Sequence, residues 1–113
     1  MIFTESLKKR NDFQKVYRRG KSYANRYLVM YRMSNHMNQA RLGISVSKKV
    51  GNSVVRHRIT RLIRESYRLN EEKFEAGYDY IVIARSGTKG ISYSEMESAL
   101  LHVGRLHRKR NEE

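Results

Sequence analysis

Cysteine, proline and tryptophan are absent from this 113-residue chain, and acidic side chains are scarce. Without cysteine there is no disulfide, no thiolate metal site and no cysteine nucleophile, and the absence fits a reducing compartment. Without proline, turns must rest on Gly, Asn and Ser. No segment approaches the roughly 18 consecutive apolar residues of a membrane span. Met1-Ile2-Phe3-Thr4-Glu5-Ser6 lacks the basic start and apolar stretch of a secretory leader. The expected location is therefore cytoplasmic. Asp and Glu number 11 against 24 Lys and Arg, a formal net charge of +13. Self-repulsion on that scale opposes a compact state, and a polyanionic partner offsets it. Nucleic acid is the first candidate and an anionic membrane surface the second.

The length fits one domain, taken as residues 1–113, with a single modest core. Neither repeats nor linkers interrupt it. After the basic Lys8-Lys9-Arg10, Asn11 with Gln14 has the spacing of a capping box for a short helix over about 12–19. Phe13, Val16 and Tyr17 share one face of that helix, and Gly20 stops it. Residues 26–33 alternate as a strand, with Tyr27, Val29, Tyr31 and Met33 on one side and Leu28, Met30 and Arg32 on the other. Residues 41–47 form a second strand whose Gly43, Ser45 and Ser47 face leaves room for a neighbour. A long helix follows, capped by Asn52 or Ser53 and reaching about Leu69. Glu71, Glu72 and Glu75 read as a solvated acidic turn. Residues 78–85, with Ile81-Val82-Ile83-Ala84, make a central strand. Ser94 and Glu97 have capping-box spacing for a last helix with Met96, Ala99, Leu100, Val103 and Leu106 as its core stripe. The basic end, Arg108-Lys109-Arg110, is expected to fray. With a short strand near 21–24, the order implies an α/β (α+β) sandwich: one sheet of about four strands and three helices.

The long helix carries the sharpest signal. With about 100° per residue and Ile59 at zero, Val55, Leu62, Ile63 and Ser66 fall within about 60°. His57, Arg61, Arg64 and Arg68 fall between about 140° and 200°, with Arg56 and Arg58 on the flanks. A structural helix mixes charge signs on its outer face, because like charges at i,i+4 cost a few tenths of a kcal/mol. Here Glu65 is the only acid between Arg56 and Arg68. Arginine forks match phosphate oxygens in two-point contacts, so the stripe reads as a phosphate-binding face. The bland alternative is a solvated basic face. Such a helix resembles a DNA recognition helix, but strands flank it instead of the partner helix of a helix-turn-helix. RNA is therefore the expected partner, and DNA is not.

At this point the local sequence becomes specific. Residues 41–65, Arg-Leu-Gly-Ile-Ser-Val-Ser-Lys-Lys-Val-Gly-Asn-Ser-Val-Val-Arg-His-Arg-Ile-Thr-Arg-Leu-Ile-Arg-Glu, resemble the signature of the bacterial ribonuclease P protein family. So do Asn11-Asp12-Phe13-Gln14-Lys15-Val16-Tyr17, Ala24-Asn25-Arg26 and Tyr80-Ile81-Val82-Ile83-Ala84-Arg85, in the family's order. The resemblance implies a left-handed βαβ crossover, against the general right-handed preference. It implies that the long helix faces a catalytic RNA subunit through an Arg-Asn-Arg motif, which reads Arg56-His57-Arg58 here. Thr60 stands where the family often has Lys. The RNA-subunit surface is thus Arg56, His57, Arg58, Arg61, Arg64 and Arg68. The resemblance further implies a cleft for the single-stranded 5′ leader of precursor tRNA, matched by Phe13, Tyr17, Val29 and Tyr31 with Lys48, Lys49 and Arg85 along its path. Unstacked bases on aromatic rings gain about 1–3 kcal/mol each. The competing reading makes Phe13, Val16 and Tyr17 only the core face of a short helix.

No protein active site is legible. Of His36, His57, His102 and His107, the last two have no obvious carboxylate partner, and Glu95 and Glu97 suit helix capping. The resemblance places catalysis and its Mg2+ ions in the RNA subunit, with no cofactor bound by the protein alone. The expected function is the accessory subunit of an endoribonuclease that releases mature tRNA 5′ ends. The alternatives are a ribosomal or other structured-RNA binding protein without a catalytic partner, and a protein nuclease in its own right.

Overall fold

A computed structural model describes residue 1 and residues 3–112, with side chains described through residue 108. Five strands and three helices follow one another as β1 (Thr4–Ser6), α1 (Arg10–Arg19), β2 (Lys21–Ala24), β3 (Leu28–Ser34), β4 (Ala40–Ser45), α2 (Ser53–Leu69), β5 (Tyr78–Ala84) and α3 (Tyr93–Glu112). The sheet order is β1-β4-β5-β3-β2. β4 and β5 are parallel neighbours joined through α2, a βαβ unit, while β3 runs antiparallel to both β5 and β2. The apolar run of β5 is central, as its near-continuous burial requires.

Alternation along the strands gives the sheet two unlike faces. Leu28 and Met30 of β3, Leu42 of β4 and Tyr80 and Val82 of β5 meet Ile59, Ile63 and Tyr67 of α2 and Met96, Leu100 and Val103 of α3 in the main core. Each fully buried Ile there contributes about 1.5–3 kcal/mol. The reverse face is smaller: Val16 of α1 and Ile81 of β5 are buried with Leu7, and Phe13, Tyr31, Met33 and Ile83 pack around them.

Several expectations need correction. A fifth strand, β1, pairs in parallel with β4 from Thr4↔Ala40 to Ser6↔Leu42. Helix α1 begins at Arg10, before Asn11, and Lys9 caps it without a side-chain bond, so Asn11 and Gln14 form no capping box. Gly20 does end α1, in an extended conformation; a Cβ there would lie 2.6 Å from the Val16 carbonyl oxygen. The last capping box is Ser92 with Glu95, not Ser94 with Glu97: Glu95 N donates to Ser92 Oγ at 3.1 Å and Ser92 N to Glu95 Oε1 at 3.2 Å. The helix continues to Glu112 where fraying was expected, and the side chains of Lys109 and Arg110 lie outside the described residues. Glu71 is buried and accepts from the Phe3 amide, so the acidic turn is only partly solvated. β3 starts at Leu28 because the Asn25 carboxamide oxygen accepts from the amides of Tyr27 and Leu28, holding a turn before it.

Candidate nucleic-acid interface

Helix α2 is set by its first residues. Asn52 Oδ1 accepts from Val55 N at 3.0 Å, which fixes the cap the sequence offers at either Asn52 or Ser53. Val55, Ile59, Leu62, Ile63 and Ser66 turn toward the core as the angular reading requires, and Tyr67, just outside that arc, is fully buried with them. His57, Arg58, Arg61, Arg64 and Arg68 are exposed and Arg56 is half-buried.

These six side chains are not equivalent. Arg68 is bound by Glu65 through two contacts, with Nε 3.0 Å from Oε2. Mutual pairing keeps the Glu65 carboxyl below its ordinary range and the Arg68 guanidinium above its own. Arg58 donates to the Ile91 carbonyl at 2.7 Å and tethers α2 to the segment before α3. Arg56 has a buried Nε without a hydrogen-bond partner among the described residues. His57, Arg61 and Arg64 make no ion pair among the described residues. They form a ridge between two grooves. One, of about 820 Å³, is closed by Leu62 and Tyr93; the other, of about 430 Å³, by Ile44, Val46 and Thr60. Those three donor groups, with the exposed fork of Arg58, are what an anionic backbone would meet.

The reverse face of the sheet brings Phe13, Tyr17 and Tyr31 together. Phe13 and Tyr17 lie edge-on with centroids 6.3 Å apart, and Tyr17 and Tyr31 edge-on at 5.1 Å. Gly43 permits this, since a Cβ there would sit 2.5 Å from Phe13 Cζ. The space left by the small residues of β4 is thus filled by a ring. Arg41 places the helix that carries Phe13 and Tyr17: it grips Asp79 with Nε at 2.8 Å and Nη2 at 2.7 Å, and reaches Asp12 of α1 at 3.5 Å. Phe13 is half-buried in the small core, whereas Tyr17 is 38% exposed. Burial raises the Tyr17 hydroxyl above its ordinary value, opposed by a hydrogen bond with Ser45, so the phenol is neutral at physiological pH.

Val29 lies on this face in register with Ile83, two residues from Tyr31. Lys48 and Lys49 follow β4 and Arg85 follows β5; the strands are parallel, so all three leave the same end of the sheet. Lys48, Lys49 and Arg85 are exposed, and Arg85 donates to the Asn25 carbonyl at 2.8 Å. Among the described residues no hydrogen bond or cation–ring contact joins them to these rings. Arg41, Asp79 and Ser45 escaped the sequence reading as site-shaping residues. Only the alternation that aligns Arg41, Gly43 and Ser45 on one side hinted at them. Among the described residues no group of three or more His, Asp or Glu is arranged to hold a metal ion.

A basic helical ridge on one side of a mixed sheet and an open aromatic face on the other define a small α/β protein of the nucleic-acid-binding class. The model of the ribonuclease P family matches residues 1–107. The chain is 60% identical over 105 residues to the ribonuclease P protein component of Lachnoclostridium phytofermentans, covering 93% of this chain and 90% of that one. It is 49% identical over 101 residues to that of Clostridioides difficile, covering 88% and 89%. The fold matches the ribonuclease P protein of Staphylococcus aureus with a TM-score of 0.84 at 42% identity, covering 90% and 94% of the two chains. The Thermotoga maritima protein gives 0.82 at 32% identity, covering 89% and 96%. The chain belongs to the ribonuclease P protein family.

Proposed function

We propose that this chain acts as the protein subunit of ribonuclease P, using two surfaces for two RNAs. The α2 ridge of His57, Arg61 and Arg64, flanked by Arg56 and Arg58, binds the catalytic RNA subunit. The face formed by Tyr17, Tyr31, Val29 and the exposed edge of Phe13 holds the 5′ leader of precursor tRNA, with Lys48, Lys49 and Arg85 receiving its phosphates at one end. The observation that carries this reading is the segregation itself: unpaired guanidinium groups on the outer side of α2, and edge-on, partly open rings on the far side of the sheet. Arginine forks suit phosphate in a folded RNA, and exposed rings suit unpaired bases.

Phosphodiester hydrolysis belongs in this proposal to the RNA subunit, whose bound Mg2+ supplies activated water. Four of the chain's carboxylates are already engaged, in keeping with that division. Asp79 is engaged by Arg41, Glu65 by Arg68, Glu95 by Ser92, and Glu97 by Asn70 and Tyr93. The protein contributes leader affinity and relief of repulsion between two polyanions, which its +13 charge provides. Two RNAs that meet with less repulsion need less Mg2+ to screen them.

Adding the purified protein to a ribonuclease P RNA at limiting Mg2+, with a leader-bearing precursor tRNA, tests this. Stimulated 5′ cleavage is expected. An absent stimulation, with RNA binding intact, would leave a structured-RNA binder without a catalytic partner. Cleavage by the protein after removal of all RNA would make it a nuclease itself.

A further inference from the structure

Arg32 is a charged side chain at a core position. It follows Leu28 and Met30 on the inward side of β3 and is only 7% exposed. Its guanidinium carbon lies 4.1 Å from the centroid of the Tyr78 ring, and its charge acts on the nearby Tyr80 hydroxyl, which donates to the Glu75 carbonyl at 3.0 Å. A guanidinium carries five N–H donors. Among the described residues no carboxylate pairs with Arg32. A largely buried guanidinium with no anion beside it, lining a recess, is placed to take one.

What it faces is a recess of about 340 Å³, at the lower end of the range of small-ligand sites. Arg19, Lys21 and Arg32 line it with Tyr23, Tyr78 and His107, and no Asp or Glu does. Asp79, adjacent in sequence to Tyr78, turns to the opposite face of the sheet and is saturated by Arg41. His107 is fixed as a wall: its Nε2 donates to the Met30 carbonyl at 2.8 Å and its ring meets Tyr23 edge-on. The recess shares no lining residue with either groove beside α2, and it lies where Arg32 and Tyr78 of one sheet face meet Arg19 of α1 and Met33 of the other.

We infer that this recess is a phosphate-binding subsite, in which the buried Arg32 fork, with Arg19 and Lys21 at the mouth, takes one phosphate group. The Tyr78 ring holds the guanidinium flat against it, so binding orders little that is not already ordered. The phosphate comes either from the backbone of a bound RNA, in keeping with the function proposed above, or from a free phosphate ion. The ring of Tyr78 and the absence of carboxylates suit both sources.

The test is a titration of the isotopically labelled full chain with inorganic phosphate at constant ionic strength, read on the amides of Lys21–Tyr23 and Arg32–Ser34 and on the Arg32 Nε–H. Saturable shifts at those positions are expected. Arg32→Met weakens them by about tenfold or more, as removal of a charge-assisted hydrogen bond does. The exposed double variant Arg19→Ala/Lys21→Ala, which leaves the core intact, weakens them by roughly threefold. Arg61→Ala/Arg64→Ala leaves them unchanged, separating this site from the α2 ridge. An unstructured oligoribonucleotide that shifts the same signals and competes with phosphate identifies an RNA phosphodiester as the ligand; saturation by phosphate without such competition identifies the free ion. Shifts that never saturate, or that survive both pocket variants at wild-type strength, overturn the site while leaving the α2 and leader surfaces untouched.

Discussion

Asp79, with 1% of its side chain exposed, persists inside the sheet because Arg41 meets it with two parallel hydrogen bonds and Asn35 Nδ2 donates to Oδ1 at 2.9 Å. The pairing holds the Arg41 guanidinium above its ordinary range. Removing one member of such a pair strands the other. Arg41→Ala should therefore cost about 3–5 kcal/mol in chemical denaturation. It should also loosen α1, since the same guanidinium reaches Asp12. A loss below about 1 kcal/mol, the range of surface pairs, would show that Asp79 is not held this way. His107 is a second residue with a stability consequence. Burial, the largest cause, pushes its pKa below 6.5, and the nearby Arg32 charge adds to this while the Met30 carbonyl opposes it. A depressed folded pKa means that the unfolded chain binds the proton first as pH falls. The stability from neutral His107 is thus present above about pH 6.5 and is lost on acidification through that range. Between about pH 7.5 and about pH 5.5 the denaturation midpoint should fall further for the wild type than for His107→Gln. Equal falls would place the imidazole in contact with water.

At the scale of elements, α2 carries most of the proposed binding surface, and the division of its faces is legible in the sequence because the pattern is strong. Five apolar or small positions recur at helical spacing, and Arg fills the far side. What the pattern could not convey is which arginines are already occupied: Arg68 by Glu65, Arg58 by a carbonyl from another element. The stripe therefore narrows to Arg61 and Arg64 with His57. Arg61→Ala/Arg64→Ala should flatten the dependence of log affinity for the RNA subunit on log salt by roughly 0.7–0.9 for each phosphate that is no longer neutralised. Arg68→Ala should change it less. Similar slopes for all three proteins would place the phosphate-binding groups elsewhere. The last capping box shows why some boundaries are illegible. Ser92/Glu95 and Ser94/Glu97 have identical spacing. The first is used because it leaves Ile91 and Met96, the positions of a hydrophobic staple, buried in the same core. β1 left no signal because three residues are too few to alternate, and backbone pairing to β4 alone makes it a strand.

For the molecule as a whole, the sheet works as a partition. α2 and α3 cover one face and α1 part of the other, so a chain of this size offers an arginine ridge and an aromatic surface that do not compete for space. The aromatic cluster was legible only as a set of positions sharing a face. Its depth follows from Gly43, which lets Phe13 sink to the sheet and leaves Tyr17 the more exposed ring. The competing view of Phe13 as core is thus partly right: it is half-buried and anchors α1. The roles of the two surfaces are separable by experiment, and that separation is the central claim. The most direct measurement is the affinity of the reconstituted holoenzyme for leader-bearing and leaderless tRNA, compared for the wild type, Tyr17→Ala and Arg61→Ala/Arg64→Ala. Tyr17→Ala should weaken binding of the leader-bearing substrate alone, by about 1–3 kcal/mol if a base stacks on it. Arg61→Ala/Arg64→Ala should weaken assembly with the RNA subunit and, once assembled, keep the preference for the leader. Equal loss for both substrates on Tyr17→Ala, or loss of the leader preference in the arginine variant, would contradict the division of the two faces.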